Sequence, residues 1–239
     1  MLDRLKVKIF ADGADLKSML ALAKSPHVKG FTTNPSLMRK AGVTDYAAFA
    51  RDVLKAIPDR PVSFEVFADE PEEMEAQARE IATWGANVYV KIPVMNTKGV
   101  STGPLIARLA KHGVALNVTA IFTLDQVRAV TEALDIATPA VVSVFAGRIA
   151  DTGVDPMPMM RESARIMRAK PRSELLWASP RELLNIYHAD DCGCHIITVQ
   201  PDVLSKLGLI GKSLDEYSLE TVKVFYQDAM AAGYRIRTA

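Results

Sequence analysis

The chain has 239 residues, 49% apolar and 24% charged, with 29 basic residues nearly balanced by 28 acidic ones. That apolar content supports a sizeable core in one large domain or two small ones, and the interspersed charge offers neither a nucleic-acid surface nor a polybasic membrane patch. The N-terminal segment lacks the apolar stretch and cleavage site of a signal peptide, no apolar run is long enough to span a bilayer, and the two cysteines, Cys192 and Cys194, are no disulfide framework. A cytoplasmic protein with no nucleic-acid or membrane partner is expected.

In chain order, short β-branched runs alternate with longer amphipathic ones. Strands are expected at Val7 to Asp12, Gly30 to Asn34, Val62 to Phe67, Val88 to Val94, Ala115 to Ile121, Ala140 to Phe145, Glu174 to Ser179 and Cys194 to Val199. Helices are expected at Ala14 to Lys24, Asp45 to Ala56, Glu72 to Trp84, Thr102 to His112, Leu124 to Leu134, Met157 to Ala169, Arg181 to His188 and Val203 to Leu207, with a further helix at about 214–231. Thr123 with Gln126 reads as a capping box, and Pro71 followed by Glu72 and Glu73 reads as a first turn whose acids suit the helix dipole. No Pro/Gly/Ser linker divides the chain, and neither a Gly-x-Gly-x-x-Gly fingerprint nor a P-loop is present. Eight strands, each followed by a helix, predict one α/β domain over residues 1–239: a closed (β/α)8 TIM barrel with an additional C-terminal helix.

A barrel places chemistry on inward-facing side chains at the C-terminal ends of its strands. In the fourth run, Val88, Val90, Ile92 and Val94 share one face, and Lys91 lies on the other with Tyr89 and Pro93. Alone, Lys91 reads most simply as a lysine that snorkels to water or pairs with a carboxylate. Strand after strand, however, the same parity carries polar groups: Asp12, Thr32 and Asn34, Ser63 and Glu65, Asn117 and Thr119, then Ser143 with Phe145. A core of that kind leaves many buried groups to satisfy, so a polar pocket for a ligand explains it better. Arg148 and Arg181, just past neighbouring strand ends, with Ser179 beside the second, are suited to bind phosphate.

Burial without partners tends to strip a lysine of its proton and leaves a nucleophile fit for Schiff-base chemistry. Desolvation and the arginines favour that neutral form, whereas Asp12 and Glu65 oppose it. A lysine among Asp, Glu, Asn and Thr, with an anion site nearby, suits a phosphorylated carbonyl sugar, in which an iminium draws electrons while an acid/base pair moves a hydroxyl proton.

These residues resemble a known family. Phe10-Ala11-Asp12, Gly30-Phe31-Thr32-Thr33-Asn34-Pro35-Ser36, Val62-Ser63-Phe64-Glu65-Val66, Val90-Lys91-Ile92-Pro93, Asn117-Val118-Thr119 and Phe145-Ala146-Gly147-Arg148-Ile149 are similar, in this order, to the short-type transaldolases. These belong to the transaldolase and fructose-6-phosphate aldolase superfamily of Schiff-base aldolases. The resemblance implies Lys91 as the imine-forming nucleophile, Asp12 as acid/base, and Glu65 with Thr119 holding a catalytic water. It further implies substrate contacts from Asn34, Asn117, Thr32, Ser143 and Phe145, phosphate contacts from Arg148, Ser179 and Arg181, and no metal or organic cofactor. The aldolase branch carries Gln in place of Glu65 and Tyr in place of Phe145, which points to the transferase. The segment Ser179-Pro180-Arg181 departs from the family, which more often has an aromatic between the serine and the basic residue.

The activity implied is transfer of a three-carbon dihydroxyacetone unit from a phosphorylated ketose, such as fructose 6-phosphate or sedoheptulose 7-phosphate, to an aldose phosphate, as in the pentose phosphate pathway. Two alternatives stay open: a fructose-6-phosphate aldolase releasing free dihydroxyacetone, and a non-catalytic sugar-phosphate-binding barrel. Small members of the family form ring-shaped homo-oligomers, pentamers or decamers, and the stripe Leu219, Val222, Phe225 and Tyr226 on the last helix needs a cover. Finally, His188, Asp190, Asp191, Cys192, Cys194 and His195 look like metal ligands, but they join helix to strand at the N-terminal face with no zinc-finger spacing, and no metal is expected there.

Overall fold

The computed structural model describes residues 2–238. Eight parallel strands close into a barrel in chain order: β1 (Lys8–Asp12), β2 (Val28–Thr32), β3 (Val62–Glu65), β4 (Val88–Pro93), β5 (Leu116–Ile121), β6 (Ala140–Val144), β7 (Ser173–Trp177) and β8 (Ile196–Val199), with β8 returning to β1. Around them run α1 (Leu16–Ala23), α2 (Pro35–Lys40), α3 (Tyr46–Ala56), α4 (Pro71–Ala82), α5 (Gly103–Lys111), α6 (Leu124–Ala133), α7 (Ala146–Asp151), α8 (Met157–Met167), α9 (Leu184–Asp191) and α10 (Pro201–Leu204), followed by α11 (Leu214–Ala231). The (β/α)8 architecture expected from the alternation is therefore present. No helix among the described residues is long and apolar enough to cross a membrane.

The outward faces of the strands make the main core. Phe64, Val90, Ile92, Leu116, Val118, Val142 and Leu175 are fully buried among Val53, Met74, Leu105, Leu109, Val127 and Met160 from the helices. Burying each such side chain contributes about 1.5–3 kcal/mol before entropy is counted. Inside the barrel the strands carry two kinds of residue. Toward the bottom, Phe10, Val141, Leu176 and Ile196 form a separate apolar plug with Tyr89 packed against it, and it separates the polar upper part of the inward parity from the Lys8–Glu174 ion pair at the lower end. Gly30 makes room for that plug, because a Cβ there would lie 2.5 Å from the Phe10 ring.

Several boundaries differ from the sequence expectation. The runs Val62 to Phe67 and Glu174 to Ser179 stop short as strands at Glu65 and Trp177, and their last residues form the loops of the barrel mouth. Two six-residue helices, α2 and α7, arise in segments for which the sequence pattern predicts no element. The first has a readable start: the Asn34 side chain accepts from the Leu37 N–H and Pro35 occupies the first turn. Arg181 to His188 is helical only from Leu184, where α9 begins. The expected capping box of Thr123 and Gln126 is formed in both directions. The C-terminal helix has the expected bounds but buries none of its residues, and its apolar side chains Leu219, Val222, Phe225 and Tyr226 are 55–68% exposed.

Candidate active site

Strand register brings the polar residues together. Asp12 pairs with Thr32 across β1 and β2, and Lys91 stands between Glu65 on β3 and Asn117 on β5. At the C-terminal ends of the strands they line a cavity of about 370 Å³ together with Asn34, Thr119, Ser143, Phe145, Arg148 and Ser179. Arg181 is the exception among the expected residues. Its guanidinium is paired in bidentate fashion with Asp151 at the end of α7 and takes no part in lining the cavity. Among the lining residues that the sequence reading did not single out are Thr198 and Gln200. The same alternation that exposed the others carries Ile196, Thr198 and Gln200 inward on the last strand and just beyond it.

Lys91 is buried, with 8% of its surface exposed. Its Nζ lies 3.3 Å from Glu65 Oε2 and donates to the Thr33 carbonyl at 3.1 Å. Asp12 accepts from Thr32 Oγ1 at 2.7 Å on one oxygen and from Asn34 Nδ2 at 3.3 Å on the other. Burial raises the Asp12 pKa above its ordinary value of 3.8, outweighing the lowering effects of the Lys91 charge and of the hydrogen bonds from Thr32 and Asn34. A carboxyl moved in that direction is the sort that can both take and return a proton during turnover.

The floor of the site is a chain of amide and hydroxyls. Ser143 Oγ donates to Asn117 Oδ1 at 2.7 Å, and Asn117 Nδ2 donates to Ser63 Oγ at 2.9 Å, leaving the second Nδ2 hydrogen for a ligand. The Thr119 hydroxyl is buried without a hydrogen-bond partner and lines the cavity, a group ready to be satisfied by water or substrate. Glu65 is held from behind by Tyr46 of α3, whose hydroxyl accepts from the Glu65 N–H at 2.6 Å and donates to its carbonyl at 3.1 Å. Burial raises the Tyr46 pKa, so the hydroxyl stays protonated and available as that donor. Sequence reading missed this clamp, because Tyr46 sits on a helix remote from the strand in the chain.

The rim is built from the β6 and β7 loops. The Phe145 ring lies 5.6 Å from Phe122, and the Arg148 guanidinium stacks over Phe145 at 5.0 Å, an arrangement that holds a planar cation at the mouth. Ser179 has a left-handed backbone at φ 58° and approaches α7 so closely that a Cβ on Gly147 would fall 1.5 Å from its carbonyl oxygen. Gly147→Ala must displace that loop. It is expected to destabilise the protein by about 1–3 kcal/mol through overpacking, read as a lower thermal midpoint.

The His/Asp/Cys run has structural partners. Asp190 accepts from the Lys6 and Val7 N–H groups, Asp191 pairs with Arg161, and His195 Nδ1 accepts from the Leu175 N–H. Cys192 and Cys194 are buried, and burial pushes both thiols above their ordinary pKa, Cys192 to about 11. No group of three or more metal-ligating side chains is present among the described residues.

Comparison with known proteins gives a consistent picture. The family model described as transaldolase/fructose-6-phosphate aldolase matches residues 9–236. A protein of Dehalococcoides mccartyi named as a probable transaldolase is 36% identical over 202 residues, covering 84% of this chain and 90% of that protein. A protein of the same name from Streptococcus equi subsp. zooepidemicus is 32% identical over 225 residues, covering 93% and 97%. Among solved structures, 2,3-dimethylmalate lyase, a PEP mutase/isocitrate lyase superfamily member, superposes with a TM-score of 0.56 at 14% identity over 98% of this chain and 86% of its own, a likeness of fold alone.

Proposed function

The chain belongs to the transaldolase/fructose-6-phosphate aldolase family, and from that premise we propose that it is a transaldolase using Lys91 as a Schiff-base nucleophile. It moves a dihydroxyacetone unit from a ketose phosphate, such as fructose 6-phosphate or sedoheptulose 7-phosphate, to an aldose phosphate. The observation that carries the proposal is the buried Lys91 amine, 3.3 Å from Glu65 in a cavity that also holds Asp12.

The amine attacks the ketose C2 carbonyl, and the carbinolamine loses its hydroxyl as water to give an iminium. Glu65 and the unpartnered Thr119 hydroxyl are placed to hold that water and hand it protons. Asp12 then takes the proton of the C4 hydroxyl, the C3–C4 bond breaks, and its electron pair enters the iminium to give an enamine on Lys91. The aldose leaves, an acceptor aldehyde takes its place, and the enamine carbon attacks it while Asp12 returns the proton. Water then releases the new ketose. Asn117 and Asn34 bind the hydroxyls of the three-carbon fragment, and Arg148 with Ser179 binds the phosphate. The iminium is the electron sink, so no metal or organic cofactor enters these steps.

Glu65 and Phe145 favour transfer over release of free dihydroxyacetone. Mixing the enzyme with fructose 6-phosphate should give little product until an acceptor such as erythrose 4-phosphate is added. Sustained release of dihydroxyacetone without acceptor overturns the transferase assignment in favour of an aldolase.

The proposal extends to a cytoplasmic homo-oligomer in which the apolar stripe of α11 is covered by another copy of the chain. Val222→Glu with Phe225→Glu, both more than half exposed in the single chain, is expected to yield a smaller species by light scattering. An unchanged mass would rule out this contact.

A further inference from the structure

We propose that Thr198 is a positioning residue for Asp12, acting through Thr32 at the end of a hydroxyl chain; the inference rests on Asp12 being the acid/base group of the proposed reaction. While Asp12 is ionised its carboxylate can only accept, and this fixes the direction. Thr32 Oγ1 donates to Asp12 Oδ1 at 2.7 Å, and a hydroxyl has a single hydrogen to give. Its contact of 2.5 Å with Thr198 Oγ1 must therefore have Thr198 as donor. Both hydroxyls belong to largely buried residues, with 2% and 7% of their surface exposed, and both line the cavity. Thr198 thus holds the Thr32 hydroxyl aimed at the carboxylate and strengthens its donation, since hydrogen bonds in series polarise one another.

The chain also matches the proton cycle. While Asp12 is anionic the donors run from Thr198 to Thr32 to Asp12. When Asp12 holds the substrate proton on Oδ1, the order can invert, with Asp12 donating to Thr32, Thr32 to Thr198, and Thr198 into the cavity. No heavy atom has to move, and each threonine hydroxyl keeps one hydrogen to donate in both states.

The surrounding charges are on other elements. Lys91 faces Asp12 from β4; Glu65 on β3 is paired with Lys91, and Arg148 on α7 stacks on Phe145. Asp15, Lys40 and Asp202 border the adjoining surface cleft that Asp12 also lines. β2, β8 and the residues just after them present only neutral side chains to the cavity, Thr32, Asn34, Ser36, Thr198 and Gln200 among them. A substitution at Thr198 leaves all these charges in place, so a change in Asp12 titration reports the hydroxyl chain.

The test is a pH titration of the Asp12 carboxyl by NMR in protein labelled with ¹³C at aspartate, the signal assigned by its loss in Asp12→Asn. Thr198→Val removes the donor at nearly constant shape and is expected to raise the Asp12 midpoint by about half to one pH unit. Thr198→Ala, a second variant should the first fold poorly, is expected to do the same, and Thr198→Ser to restore the wild-type midpoint. In turnover, Thr198→Val should lower kcat about three- to tenfold, with the donor KM within about twofold of wild type. A wild-type midpoint in the valine and alanine variants, or a serine variant as shifted as valine, overturns the proposal. The titration needs no turnover, so it judges the Thr198 chain even if Lys91 forms no imine.

Discussion

Lys91→Met is expected to lower transfer activity by more than about 10⁴-fold while leaving the barrel folded. The size of the effect follows from what the amine supplies. Without the iminium there is no electron sink for the C3–C4 bond, and neither Asp12 nor Glu65 can replace it. Methionine has a similar length and keeps the volume filled, so packing against β3 and β5 survives. The substitution does remove the cation from Glu65 and Asp12. Glu65 retains access to the cavity and its water, which limits the cost of the unpaired charge. Intact circular dichroism with undetectable turnover is the expected pair of results; a methionine variant retaining a tenth of the activity would show that Lys91 is not the nucleophile.

Asp12→Asn is expected to lower kcat by about 10²–10⁴-fold, the range for losing a general acid/base. Its pH behaviour makes the prediction sharper. The folded Asp12 carboxyl titrates above 3.8 because burial disfavours its charge. Between the unfolded and folded pKa values the native state binds more protons than the unfolded state, so stability falls as pH rises through this window. Above the folded value the Asp12 charge is a standing cost to stability. The neutral asparagine removes that cost, although it gives up the hydrogen bond from Asn34. The variant should therefore lose activity at neutral pH without losing thermal stability. Wild-type kcat/KM for cleavage should show an acid limb above the ordinary aspartate range. Unfolding scans and pH-rate profiles from pH 4 to 9 check both.

How much of this could be read from the residues alone depended on the kind of interaction involved. The barrel was legible because each strand is buried on both sides and so appears as a compact apolar run with a helix-period segment after it. The inward positions of Asp12, Thr32, Glu65, Lys91, Asn117, Thr119 and Ser143 followed from the two-residue period of a strand, a covalent regularity. Thr198 and Gln200 obey the same period but sit in a run whose ends look apolar, so they passed as core. The Phe10 plug was hidden for a related reason: parity assigns a side chain to the interior without saying at what depth. Contacts between segments distant in the chain left no local trace. Tyr46 reaching the Glu65 backbone and Arg181 turning to Asp151 are of this kind. The two short helices were concealed by length, because six residues show less than two turns of any pattern, although Asn34-Pro35 carried a start signal.

The most direct measurement is borohydride reduction of the protein in the presence of fructose 6-phosphate, with sedoheptulose 7-phosphate as a second donor, followed by peptide mass mapping. An irreversible adduct of the ketose or its three-carbon fragment on Lys91, absent from Lys91→Met, with the three-carbon adduct diminished when an acceptor aldehyde converts the enamine into a ketose iminium before reduction, is the predicted result. No adduct on Lys91 with either donor, or an adduct confined to a different lysine, would contradict it.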